Sequence, residues 1–191
     1  FVRRHIPQQS SERTTFTHMS ATCPHYENAR LNQIEIKTIL IDCRRIQINM
    51  EWTRSGEDLF VRIDTGEEIH ATLQSLADEV GFDAAAITSG IGRTRNTLYG
   101  YMNEEGVYIR RNLDAPSELV SLSGNIARTE DGKAFTHIHC CWSDDDNNVH
   151  AGHMFQSGVH VVAEIHIRIL TKAIMTRCPL PDVELLGLKF S

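Results

Sequence analysis

Three histidines in one short segment have the residue type and spacing of metal ligands. His137 and His139 are separated by one residue, and His153 follows a polar turn at 143–148. The residues on either side of that turn are typical of two strands of a hairpin. Residues two apart in a strand point to the same face, so His137 and His139 are expected to lie side by side.

The position of His153 depends on the register of this hairpin. If the hairpin is centred on Asp146, His139 and His153 are directly opposed, with their Cβ atoms roughly 4.5–5.5 Å apart. A shift of one residue would turn His153 to the other face. Three neutral imidazoles about 2.0–2.1 Å from a common centre suit Zn²⁺, and three protein ligands leave one coordination position open, as in catalytic zinc sites. The alternative is that these histidines are polar residues on a solvated sheet face.

Cys141 shares the predicted face of His137 and His139, so it is either a fourth ligand or a small buried apolar residue. The chain has five cysteines, an odd number with two adjacent, which does not indicate a disulfide framework. No apolar run approaches the roughly 18–20 residues of a membrane span, and the N-terminus lacks the apolar region of a signal peptide. These features predict a reducing, cytoplasmic location.

Four short motifs give this sequence a resemblance to a known family. They are Ser89–Gly92, Glu118–Ile126, His137–His139 and Ala151–His153. In their order and spacing they are similar to the plant-and-prokaryote conserved (PPC) domain, with Ala151 where the family usually has glycine. The resemblance covers roughly residues 56–170.

The resemblance implies an α+β fold, a mostly antiparallel sheet packed on one helix, and a homotrimer with strands paired between subunits. In plant members the domain follows an AT-hook, and the family is labelled as candidate DNA-binding. A segment of plant members is implied in contacts with other proteins. Its counterpart here is Glu118, Leu119, Val120, Ser121, Leu122, Ser123 and Gly124.

Charge argues against nucleic acid as the main partner of the domain. The chain has a net charge of −6, and residues 50–191 carry twelve Lys and Arg against twenty-one Asp and Glu, a net −9. An acidic surface does not neutralise phosphates, and no AT-hook core is present in this sequence. DNA binding is therefore a weaker expectation than metal binding.

Three functional hypotheses follow. The first is a metal-binding homotrimer, with zinc or a similar divalent ion at His137, His139 and His153. The second is a zinc-dependent hydrolase or lyase, in which metal-bound water is activated. Glu118 is either a second-shell carboxylate, and then the candidate general base, or an exposed carboxylate on a strand. The third is a scaffold that binds other proteins. The sequence does not decide whether the protein is an enzyme.

The chain is predicted to have an N-terminal extension at 1–55, a core domain at 56–170 and an irregular tail at 171–191. A start at Met50 would leave a natural length for a lone domain of this type. Apolar residues spaced as in a helix, with Thr65 as the expected N-cap and Gly81 as the C-cap, predict a helix at 66–80. His70 lies off the apolar stripe of that helix and is expected to face solvent.

Overall fold

The structure is a computed structural model that describes residues 48–181, 183 and 185–191. The prediction for residues 1–47 lies outside the described residues. The described residues form one helix and nine strands. The helix is α1 (Ile69–Val80), and the strands are β1 (Met50–Ser55), β2 (Asp58–Asp64), β3 (Ala85–Met102), β4 (Tyr108–Leu113), β5 (Ser117–Thr129), β6 (Ala134–Ser143), β7 (Val149–Ile169), β8 (Met175–Pro179) and β9 (Leu186–Phe190).

The strands form one sheet whose main path is β1-β2-β7-β3-β5-β8-β9. Strand β4 pairs with β3, and β6 pairs with both β5 and β7. Strands β3, β5, β6 and β7 therefore pair in a closed cycle. All pairings are antiparallel except β5 with β8. The predicted α+β class, a mostly antiparallel sheet with one principal helix, is confirmed.

Alternation along the strands decides which side chains form the core. On β6, Ile138 and Trp142 are fully buried, and on β7 Ala163, Ile165 and Ile167 are fully buried. Leu73 and Leu76 of α1 join the same apolar cluster. Burial of apolar surface stabilises this packing by roughly 25 cal/mol per Å². The other face of β6 is left for the histidines.

Helix α1 begins three residues later than predicted. Glu68, rather than Thr65, is the N-cap, and its side chain accepts a hydrogen bond from the backbone N–H of Ala71 over 2.7 Å. The Thr65 hydroxyl instead donates to the carbonyl of Val161. Gly81 adopts the left-handed conformation, with φ 78°, and ends the helix as predicted.

Residues 85–102 form one long strand with several register shifts, one of them between Gly92 and Thr94. One further expectation about the elements is corrected. The tail at 171–191, predicted to be irregular, contains the β8–β9 hairpin. At the N-terminal end, β1 pairs with β2 along its whole length. The sheet therefore begins at Met50, six residues before the predicted start of the domain at residue 56.

Helix α1, at twelve residues, is too short to cross a membrane, and the rest of the described chain contains no apolar helix of membrane-spanning length.

Candidate metal centre

The hairpin of β6 and β7 has the register that the sequence predicted. His139 is directly opposite His153, and Gly152 is opposite Cys140. His137 and His139 lie on the same face of β6, because the residue between them, Ile138, is in the core. The three histidines therefore form one patch.

The distances between the imidazoles fit a single metal ion. Nε2 of His137 lies 3.3 Å from Nε2 of His139. Two nitrogens about 2.0–2.1 Å from a tetrahedral centre are separated by roughly 3.3–3.4 Å. One nitrogen from each of the three histidines lies within 4.8 Å of the others.

The protein holds these imidazoles in their neutral form. Burial, together with the positive charge of Arg177 and the neighbouring histidines, lowers the pKa of His137 to about 4. Burial, with the same histidine cluster and Arg110, lowers the pKa of His153 to about 4. Burial also lowers the pKa of His139. At neutral pH each ring therefore has a lone pair, and neutral imidazole is the form that binds metals.

One polar atom in the cluster lacks a partner. Nδ1 of His153 is buried and accepts or donates no hydrogen bond within the described residues. Buried polar atoms are nearly always satisfied, so an unpaired imidazole nitrogen beside two others fits a group that the site would bind. The donor set of this cluster suits Zn²⁺, which imidazole binds well.

Arg177 and Asn125 form a polar support beneath His137 that the sequence did not reveal. Nη2 of Arg177 donates to Nδ1 of His137 over 3.2 Å and to Oδ1 of Asn125 over 2.6 Å. Because a guanidinium has no acceptor, Nδ1 accepts, and the neutral ring carries its hydrogen on Nε2, beside His139. For a neutral ring to bind a metal at Nε2, its hydrogen would have to be on Nδ1, so the contact between Arg177 and Nδ1 would open when the metal binds.

His70 is a second support, and its predicted exposure is wrong. Its Nε2 bonds the carbonyl of Met154 over 3.0 Å, and its Nδ1 lies 2.6 Å from the Thr136 hydroxyl. The carbonyl only accepts, so Nε2 carries the hydrogen and the hydroxyl donates to Nδ1. His70 thereby joins α1 to Thr136 on β6 and Met154 on β7, which are adjacent in sequence to His137 and His153. The prediction was wrong because His70, although it lies off the apolar stripe of the helix, contacts Thr136 and Met154 of the sheet.

Glu118 is not a support of the centre. Its carboxylate pairs with Arg93, and it lies opposite Ser143, whereas Ser123 lies opposite His139. Five residues of strand separate the two positions, roughly 16 Å. The second-shell role predicted for Glu118 is therefore wrong in this structure.

Two other residues of the hairpin also lie outside the cluster. His150 faces away, as expected from its parity, and bonds Tyr99 and Asp144. The three histidines form the metal-ligating group of the described residues, without Cys141. Cys141 is partly exposed rather than buried, and it lies opposite Ala151.

The segment from Glu118 to Gly124, the predicted contact region for other proteins, is an internal part of β5. It pairs with β6 along one edge and partly with β3 along the other. Leu119 and Leu122 are in the core, whereas Val120 is about half exposed. Gly124 lies where β5 approaches β6 closely, since a Cβ there would come within 2.0 Å of the His137 carbonyl oxygen.

A cavity of about 470 Å³ adjoins the cluster, and His137 and His153 form part of its wall. Small-molecule sites are commonly about 300–1,000 Å³ and mostly apolar. The other described lining residues are largely apolar or aromatic, with two arginines: Tyr108, Arg110, Phe135, Phe155, Arg177, Pro179, Leu180, Val183, Leu185 and Leu186.

Comparison with known proteins places this fold in a family. Residues 50–171 match the Plants and Prokaryotes Conserved (PCC) domain, the family also abbreviated PPC. The chain belongs to the PCC domain family. This confirms the resemblance inferred from the four motifs.

Solved structures of similar proteins have the same fold. A PPC protein from Pyrococcus horikoshii is 26% identical, with a TM-score of 0.61, and the match covers 73% of this chain and 94% of that one. A metal-containing protein from Archaeoglobus fulgidus is 27% identical, with a TM-score of 0.61 and coverage of 73% and 96%. A protein from Bacteroides thetaiotaomicron, named as a candidate DNA-binding protein, is 22% identical, with a TM-score of 0.67 and coverage of 74% and 97%. No protein of curated function matches this chain at a significant level.

Proposed function

We propose that this PCC-domain protein binds one divalent metal ion, zinc, through His137, His139 and His153. The observation that carries the proposal is the 3.3 Å separation of two Nε2 atoms, with the third imidazole within 4.8 Å. That separation matches two ligands of one tetrahedral ion. The similar Archaeoglobus fulgidus protein is named as metal-containing, which supports the same reading.

The metal would act on a small molecule. When bound by three imidazoles, zinc keeps a coordination position for water or substrate and polarises the oxygen bound there. His137 and His153 line the adjoining cavity, so a ligand in the cavity would contact the metal. The chain's own residues then have separate roles. The imidazoles would hold the ion, His70 holds the two strands that carry them through Thr136 and Met154, and the aromatic wall would exclude water.

A zinc-dependent hydrolase or lyase is the second candidate, and the cavity beside the centre is the observation that favours it. This candidate function lacks a general base among the described residues beside the centre. The described lining residues include no carboxylate, and Glu118 lies far along β5. Metal-bound water would therefore have to supply the nucleophile without help from a described carboxylate.

We also propose that the protein is a homotrimer, as its family resemblance implies. The support is an exposed apolar strip on the sheet formed by Ile91, Val120 and Val161. These side chains are 56%, 53% and 54% exposed and line one surface depression. Clustered exposed aliphatic residues indicate a protein interface. The alternative is that the protein is a scaffold and that other proteins bind to this strip.

Direct DNA binding is the weakest of the proposals. The acidic charge of residues 50–191 opposes contact with phosphates. A test is the affinity for duplex DNA at two salt concentrations. Binding that falls steeply with salt would favour the DNA role over the metal role.

Zinc titration tests the main proposal. Protein stripped with a chelator is titrated with ZnCl₂ in a calorimeter. We expect one zinc ion per chain, and at least a hundredfold weaker binding by His153→Ala. His160→Ala, a histidine on the same strand away from the cluster, is the matched control and should bind as the wild type does. Equal zinc binding by His153→Ala would refute the proposed centre.

Turnover separates the enzyme from a binding protein. Zinc-restored and stripped proteins are compared on panels of ester, amide and hydroxy-acid substrates. Turnover that requires zinc and disappears in His153→Ala would support the hydrolase or lyase. Zinc binding without turnover on any panel would leave a metal-binding protein.

A further inference from the structure

The C-terminal hairpin of β8 and β9 gives the cavity a second wall. Strands β8 and β9 lie beyond residue 171, where the match to the PCC domain ends. Pro179, Leu180, Leu185 and Leu186 from this hairpin line the cavity. The hairpin therefore lies beside the face that carries the three histidines, and it encloses part of the cavity.

Aromatic residues form a second part of the lining, the aromatic wall. They are Tyr108, Phe135 and Phe155, and the rings of Tyr108 and Phe155 meet edge to face with centroids 5.0 Å apart. The ring of Phe155 also lies 4.6 Å from that of His153. The hairpin and these rings give the cavity, hereafter the slot, a mostly apolar lining that suits an aromatic or branched apolar group.

A buried positive charge lies at the histidine end of this slot. Arg177 is only 5% exposed. Its hydrogen-bond partners among the described residues are neutral: the Leu186 carbonyl at 2.8 Å, the Asn125 amide oxygen at 2.6 Å and His137 at 3.2 Å. Among the described residues no carboxylate lies within ion-pair distance of Arg177, and its Nε has no hydrogen-bond partner. Buried charges are usually paired, so this guanidinium favours an anion nearby.

A second arginine lies on the aromatic wall. The guanidinium carbon of Arg110 is 4.6 Å from the centroid of the Phe155 ring, a cation–π contact. Arg110 and Arg177 both line the cavity. The slot therefore combines a mostly apolar lining with the buried guanidinium of Arg177, which is complementary to a small organic anion.

We propose that this cavity binds a small monocarboxylate with an aromatic or branched apolar body. The apolar body lies between the hairpin and the aromatic wall, and the carboxylate faces Arg177 and the three-histidine centre. This proposal rests on the proposed metal function, because the metal would be the second cation at the histidine end of the slot. It names the class of ligand that the same site would bind. The C-terminal hairpin supplies the selectivity for an apolar body.

Calorimetric titration of the zinc-loaded full chain with phenylacetate tests this proposal. Phenylacetamide, which has the same shape without the charge, is the matched ligand. We expect one phenylacetate per chain and at least tenfold weaker binding of phenylacetamide. Arg177→Gln should weaken phenylacetate binding at least tenfold, and Arg177→Lys, which keeps the charge, less than threefold.

A surface variant keeps the test valid if Arg177→Gln fails to fold. Leu180 is 42% exposed, so substitution there leaves the core intact. Leu180→Glu places a negative charge on the wall and should weaken phenylacetate binding at least tenfold, whereas Leu180→Gln should do so by less than threefold. Equal effects of Glu and Gln, or equal binding of phenylacetamide, would overturn the proposed anion site.

The outcomes for the metal and for the anion are separable. Zinc binding without phenylacetate binding would overturn the anion site and leave the metal centre standing. Phenylacetate binding that depends on Arg177, in a protein that takes up no zinc, would support the anion site and refute the metal centre. The zinc content of every sample is measured alongside the titration.

Discussion

Arg177 on β8 donates a hydrogen bond to Nδ1 of His137 on β6 over 3.2 Å. This bond joins the C-terminal hairpin to the candidate metal centre. The same guanidinium donates to the Leu186 carbonyl on β9, so one side chain fixes both strands of the hairpin to the sheet. The hairpin and the centre are therefore expected to respond together to substitution of Arg177.

Replacing Arg177 with Gln should lower the free energy of unfolding by about 1–3 kcal/mol, because a buried carbonyl and amide lose their donor. Urea unfolding followed by circular dichroism measures this. Arg168→Gln is the control, since Arg168 is 56% exposed and pairs with Asp58 at the surface. It should cost no more than about 1 kcal/mol. Equal effects of the two variants would contradict the structural role of Arg177.

Gly124→Ala should damage the centre without touching a histidine. Its Cβ would lie 2.0 Å from the His137 carbonyl oxygen, so β6 has to move. We expect destabilisation of about 1–3 kcal/mol, typical of overpacking, and at least tenfold weaker zinc binding. Gly158→Ala is the matched control, because its nearest contact is 3.3 Å away. Wild-type zinc affinity in Gly124→Ala would show that the close approach does not position His137.

His70→Ala should loosen both strands that bear the ligands. The substitution leaves the Thr136 hydroxyl and the Met154 carbonyl without their imidazole partner. The expected loss in the free energy of unfolding is about 1–3 kcal/mol, measured by urea titration. His160→Ala should change it by less than about 0.5 kcal/mol. Equal free energies of unfolding for His70→Ala and His160→Ala would show that the hydrogen bonds of His70 to β6 and β7 do not stabilise the protein.

The β6–β7 turn should weaken in acid because of Asp144. Its carboxylate bonds His150 and accepts from the backbone N–H of Asn148 and Asp146, and these contacts lower its pKa from 3.8 to about 2. A lowered folded-state pKa contributes stability that is present above pH 3.8 and is lost as pH falls towards 2. Asp144→Asn should therefore be less stable than the wild type at pH 7.

The difference between Asp144→Asn and the wild type should shrink between pH 4 and pH 2, when measured by thermal unfolding at each pH. Asp146→Asn, in the same turn with an exposed side chain, is the control and should show a smaller difference at pH 7. A difference for Asp144→Asn that is constant with pH would contradict the assigned cause.

The exposed apolar strip provides a test of assembly. Val120→Asp places a charge on it and should dissociate the proposed trimer, because burying an unpaired carboxylate is unfavourable. Sedimentation velocity at micromolar concentration measures the mass. Val149→Asp is the control, since Val149 is 71% exposed in a separate part of the sheet. A wild-type protein that sediments as a monomer would refute the trimer outright.

The sequence predicted the parts of the site that depend on local periodicity. Alternation placed His137 and His139 on one face, and the polar turn set the register that brings His153 opposite His139. It also predicted α1 and its C-cap at Gly81, because an apolar stripe and a glycine are local signals.

The supports of the site depend on long-range pairing, which no local pattern shows. Arg177 reaches His137 across the parallel pairing of β5 and β8, forty residues away along the chain. His70 meets β6 and β7 only because α1 packs across them. Glu118 was wrongly predicted to lie beside the histidines, because the order of the motifs in the sequence does not give their distance along a strand. The tail hairpin was missed because its two prolines suggested irregular structure.

The metal content of the purified protein tests the central claim most directly. Inductively coupled plasma mass spectrometry is applied to the wild type, to a triple His137/His139/His153→Ala variant and to His160→Ala, each after exposure to zinc and removal of the free ion. We predict about one zinc per chain in the wild type and in His160→Ala, and none in the triple variant. No zinc in the wild type, or equal zinc in the triple variant, would contradict the three-histidine centre.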